Sequence, residues 1–121
     1  MVRIYWQNSS KTALMWTFSG NWTSDEFYVA LSEYRSLLLD TDNSTTVIID
    51  LRKGFGPDNL LVLAREGFCT PTDKIDQIII VGYIPTWKSL FSILMYTLKG
   101  FVTPVTFVET LSEGENLVKV E

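Results

Sequence analysis

No histidine occurs in the 121 residues of this chain. The commonest general base and metal ligand of proteins is therefore missing, and neither a metal nor another cofactor is expected. One cysteine, Cys69, excludes an internal disulfide and any zinc site built on cysteines. As a nucleophile Cys69 would need an activating base or an electropositive pocket; next to Phe68, near the end of an expected helix, it reads as structural. Basic residues are scarce. Ten Lys and Arg stand against fourteen Asp and Glu, for a formal charge of −4 and a pI near 4.7. A nucleic-acid binder would show a basic surplus or stripe, so no nucleic-acid partner is expected. No apolar run approaches the roughly 20 residues needed to span a bilayer, so no transmembrane segment is expected either. The first ten residues, MVRIYWQNSS, lack the apolar stretch of a secretion signal. The expected location is cytoplasmic, and the glycosylation-type triplets at Asn8, Asn21 and Asn43 then read as chance matches.

What is present suits a folded core. At 46% hydrophobic and 13% aromatic residues the composition excludes a disordered chain. The length fits one domain, residues 1–121, that buries roughly two-thirds of its unfolded surface. Residues 2–6 and 12–18 read as strands around a polar turn, and Gly20-Asn21 is expected to end the second. Ala13, Met15 and Thr17 alternate with Leu14, Trp16 and Phe18; with both sets largely apolar, this strand is covered on both faces or paired across an interface. Thr23 with Glu26 matches a capping box, and Phe27, Ala30, Leu31, Tyr34 and Leu38 mark the buried stripe of the helix it opens.

Residues 46–51 and 75–81 read as strands whose apolar residues run consecutively, at Val47–Ile49 and Ile78–Val81, rather than alternating, as in central parallel strands. Between them Pro57 suits the first turn of a helix, with Leu60, Leu63, Ala64 and Gly67 on one face. A helix is expected over 86–99, stopped by Gly100, then a strand over 102–108. Thr110 with Glu113 is a second capping-box match, opening a last helix to about Val118. The element order is β-β-α-β-α-β-α-β-α. It describes an α/β fold with a mixed, mostly parallel sheet, an antiparallel N-terminal hairpin and about four helices.

The segment TVIIDLRKGFGPDNLL, residues 46–61, carries the strand–loop–helix turn at which α/β sheets usually bind ligands. The chemistry usually found there is absent. The expected loop, 52–56, has no phosphate-cradling glycine pattern, and no His, Ser or Thr lies between Val47 and Ala64. Asp50 ends the strand, where it can serve a site or hydrogen-bond the loop. Asp58 sits where a carboxylate caps free N–H groups, which is its favoured role. Arg52 and Lys53 read either as an attractor for an anionic ligand or as a solvated basic pair. Asp73 and Asp76, flanking a lysine, read as solvated surface.

Phe18-Ser19-Gly20 before the first helix, Val47–Leu51, Ile78–Gly82 and the FVETLSEG run from Phe107 to Gly114 together resemble the STAS superfamily. That superfamily has the SpoIIAA-like fold of the anti-sigma-factor antagonists. The resemblance covers nearly the whole chain, and the IIIVGYIPTW stretch is most similar to the lipid-transfer-like and SpoIIAA-like relatives. In the sporulation regulators an Asp-Ser-Ser-Gly motif follows the central strand, and its second serine is phosphorylated. Here the matching run is Asp58-Asn59-Leu60-Leu61, which keeps the aspartate and loses both serines and the glycine. The resemblance therefore implies the fold and a regulatory or binding role, without the phosphorylation switch.

One segment exceeds what a sheet-packing helix needs. Within 86–99, Trp87, Leu90, Phe91, Leu94 and Met95 fall on one face with Leu98, and Ile93 widens the apolar arc. From Gln77 through Val108 no acidic residue occurs. The helix is a buried core element, a protein–protein face or the wall of an apolar pocket. Tyr5, Trp6, Trp16 and Trp22, near the hairpin, add more aromatic area than one small core readily absorbs. The expected function is non-enzymatic: a binding or regulatory domain acting through a protein partner or as a homodimer. The alternative is a small carrier holding a lipid or other hydrophobic ligand between the sheet and helix 86–99.

Overall fold

The computed structural model describes residues 1–42, 44–56, 74–82 and 104–118. Within them lie strands β1 (Val2–Trp6) and β2 (Ala13–Asn21), helix α1 (Ser24–Leu39), and strands β3 (Thr45–Phe55), β4 (Ile75–Val81) and β5 (Val105–Val108). A short helix, α2 (Leu111–Asn116), follows. The strands form one sheet in the order β1-β2-β3-β4-β5, with β1 antiparallel to β2 and every later pair parallel. This is the expected mixed α/β sheet with its hairpin at one edge. The helix expected from Pro57, the helix over 86–99, Cys69 and Asp73 lie outside the described residues.

The hairpin turn is organised by Asn8. Its Oδ1 accepts the N–H of Thr12 at 3.0 Å and of Ala13 at 3.3 Å, and its Nδ2 donates to Thr12 Oγ1 at 2.7 Å. These side-chain bonds replace ladder bonds through the turn, where Lys11 takes a left-handed φ of 57°.

β2 is apolar on both sides because each face of the sheet has its own core. On one face Leu14, Trp16 and Phe18 join Val47, Leu51, Ile78 and Ile80 beneath Phe27, Ala30, Leu31, Tyr34 and Leu38 of α1. Those five α1 residues are the stripe read from the helical spacing. On the other face Met15, Ile48, Ile79, Val81 and Val108 pack together, with Leu111 and Val118 against them. Gly114 lets α2 approach closely: a Cβ there would lie 3.3 Å from methyl groups of Ile79 and Val81.

Trp16 is the hub of the α1 face, its ring 5.2 Å from Tyr34, 5.6 Å from Phe27 and 5.8 Å from Phe18. Trp22 packs 4.8 Å from Phe18. At 5% and 4% exposed, Trp16 and Trp22 are taken up by this core, against the expectation of surplus aromatic area. The same apolar surroundings push the Tyr34 phenol well above its ordinary pKa.

α1 starts with the expected capping box. Glu26 N–H donates to Thr23 Oγ1 at 3.2 Å, and Thr23 N–H donates to Glu26 Oε1 at 3.3 Å. Its C-terminus has no basic residue in the last turn. Lys74, far along the chain, supplies one: its Nζ donates to the carbonyls of Leu38 at 2.8 Å and Thr41 at 2.7 Å.

Several expected boundaries move. β2 continues through Gly20 and Asn21, and β3 continues through Phe55 where a loop over 52–56 was expected. Each extension supplies the other's ladder, pairing Ser19 with Lys53, Gly20 with Gly54 and Asn21 with Phe55. Gly20 does not break the strand, because glycine accommodates its φ of 65° without strain. β5 begins at Val105, since Pro104 has no N–H to give a ladder, although its carbonyl accepts from Ile78 N–H at 2.9 Å. α2 ends at Asn116, two residues before the expected stop.

Candidate functional site

Asp50 lies opposite Val81, the last residue of β4, with Gly82 just beyond, while β3 runs on along β2 to Phe55. Between Thr17 and Ser19 of β2, β3 advances from Asp50 to Lys53, one residue more. The extra residue is a bulge in β3, at Leu51 and Arg52. A bulge takes a backbone N–H out of the ladder and re-aims the side chains next to it. Here the Arg52 N–H turns to Asp50 Oδ1 at 3.1 Å.

The Arg52 side chain follows its backbone. Nε donates to Asp50 Oδ1 at 2.9 Å and Nη2 to Oδ2 at 2.8 Å, a two-pronged charge-assisted pair. Asp50 is 8% exposed, so the pair is sheltered from water on the carboxylate side. Burial alone would raise the Asp50 pKa, but the Arg52 hydrogen bonds and charge, helped by Lys53, outweigh it and hold the carboxyl below its ordinary range. Bonding to Asp50 raises the Arg52 guanidinium in turn. Gly82 closes the arrangement from β4 at φ 111°, donating its N–H to Val108 O at 3.0 Å. A Cβ on it would lie 3.3 Å from both Arg52 Cγ and Arg52 N.

Of the residues singled out in the sequence, Asp50 and Arg52 are thus brought together and Lys53 stands exposed beside them. Asp58, Trp87, Leu90, Phe91, Leu94 and Met95 lie outside the described residues. The alternative that Asp50 hydrogen-bonds the following segment is the one observed, with a guanidinium added. An Asp-X-Arg triplet after the apolar run was the available signal, because opposite charges two residues apart can pair once a bulge re-aims their side chains. Lys74 was read only as the lysine of a solvated turn, and its role as a helix cap has no local signature. Among the described residues, no group of three or more His, Cys, Asp and Glu is placed to hold a metal ion. No helix among them is long and apolar enough to cross a membrane.

No model of a known protein family matches the chain, and no curated protein matches it. A solved structure does: an uncharacterised protein of the DUF3478 family with a SpoIIAA-like fold, from Shewanella loihica PV-4. The two share 11% sequence identity at a TM-score of 0.71, over 98% of this chain and 93% of that one. The antiparallel hairpin, the parallel β2–β5 run and this likeness agree with the fold that the resemblance implied: the chain has a SpoIIAA-like fold.

Proposed function

We propose that residues 1–121 form one non-enzymatic binding or regulatory domain that acts through protein contacts, in the first place with a second copy of itself. The observation that carries this reading is the Asp50–Arg52 pair. Asp50 lies level with the C-terminal end of β4, the side of the sheet at which parallel sheets place reactive groups, and its oxygens are engaged by the backbone and side chain of Arg52. A carboxylate held below its ordinary pKa by an adjacent guanidinium is a poor general base and is not available as an acid. The replacement of the hydroxyl motif by Asp58-Asn59-Leu60 supports a domain that works without a phosphoserine switch. The second reading, a small carrier of a lipid or other hydrophobic ligand, rests on the apolar face of 86–99.

The Asp50→Asn variant tests the structural role of the carboxylate. Wild-type protein is expected to show no turnover above buffer on generic ester and phosphate substrates. The variant is expected to melt at a lower temperature with its mass in solution unchanged. Turnover that Asp50→Asn abolishes without lowering the melting temperature would make Asp50 catalytic and overturn the reading.

A further inference from the structure

We infer that the outer edge of β1, unpaired among the described residues, is the surface that joins two copies of the chain, in a two-fold antiparallel register centred on Ile4; this rests on the homodimer reading above. In the β1–β2 ladder Ser19 N–H donates to Met1 O at 2.8 Å and Gln7 N–H to Ala13 O at 2.9 Å. Odd-numbered residues of β1 therefore make the bonded pairs with β2, and the N–H and C=O groups of Val2, Ile4 and Trp6 point away from the sheet. β1 is the terminal strand of the described sheet.

The usual devices that stop an edge from pairing are sparse here. The β1–β2 register is regular with no bulge, β1 contains no proline, and Arg3 is its only charged residue. The side chains of Val2, Ile4 and Trp6 pack into the α1 core, which holds the strand flat against the sheet. Tyr5, 44% exposed, and Arg3 stand on the opposite face.

A second copy fits this edge better than an arbitrary strand. Antiparallel pairing with Ile4 opposite the partner's Ile4 sets Val2 opposite the partner's Trp6. Every outward N–H and C=O of Val2, Ile4 and Trp6 then has a partner, whereas a two-residue slip strands an end. The same register places Arg3 against the partner's Tyr5, and the two-fold axis repeats the contact. A guanidinium over a tyrosine ring is attractive, and no like charges oppose each other. The two sheets become one sheet that continues across the axis.

A charge-swap series measured by sedimentation equilibrium tests both the surface and its register, with thermal melts to show that each exposed substitution leaves the fold intact. Wild type is expected to be a dimer. Tyr5→Arg sets like charges opposite each other twice and should weaken association by about tenfold or more. Adding Arg3→Glu to Tyr5→Arg should restore the dimer through two arginine–glutamate pairs. A dimer indifferent to Tyr5→Arg would overturn the edge assignment and leave the homodimer reading standing. Weakening without restoration by Arg3→Glu would overturn the register. A wild-type monomer at all concentrations would overturn the homodimer reading and this inference with it.

Discussion

At the scale of single residues, the bulge at Leu51–Arg52 decides what the strand ends can do. It turns the Arg52 N–H and guanidinium onto one carboxylate, and Gly82 leaves the room that this placement needs. Because the folded Asp50 titrates below its ordinary value, the pair contributes stability above the carboxylate range and loses it as pH falls through the folded pKa. Arg52→Met is therefore expected to cost about 1–2 kcal/mol near neutral pH, a range moderated by the partial exposure of Arg52. Chemical denaturation at falling pH should show the gap between variant and wild type narrowing once the pH passes below the ordinary carboxylate range, because protonation of Asp50 removes the charge that Arg52 pairs with. A gap independent of pH would mean that Arg52 acts through packing alone. The chemistry of this pair was half legible in the sequence. Asp50 and the choice between a site and a loop contact could be read from the strand end, but the bulge depends on the length of β2 and has no local signal.

At the scale of elements, the readings that held are those with a periodic or capping signal. The α1 stripe from Phe27 to Leu38 follows helical spacing, and Thr23 with Glu26 fixes its start. Val2–Trp6 and Ile75–Val81 were legible as strands from their β-branched and aromatic residues and the polar turns beside them. The strand ends beyond Phe18 and Leu51 were not, because a glycine and a basic pair read locally as punctuation. Pairing between the two extensions overrides that preference. The end of α1 shows the same limit: its cation arrives from Lys74, across the β3 connection. Lys74→Met removes two bonds from a charged donor, one to a helix carbonyl and one to the Thr41 carbonyl just past the helix, and is expected to cost about 2 kcal/mol. Amide exchange should quicken in the last turn of α1 more than in its first. Uniform protection along α1 in the variant would show that Lys74 does not hold that end.

At the scale of the whole molecule, the described residues pack differently on the two faces of one sheet: an aromatic core under α1 and an aliphatic cluster against α2. The fold class was legible because parallel strands with both faces covered leave continuous apolar runs. The function was less so, because a binding surface is a property of shape and edges that composition does not encode. The proposed domain binds protein, itself included, rather than carrying a small molecule. Native mass spectrometry of protein purified under mild conditions separates the two. The expected result is a species with twice the chain mass and no retained adduct, falling to single chains in Tyr5→Arg. A monomer that keeps a hydrophobic small molecule, released only on denaturation, would contradict it and establish the carrier.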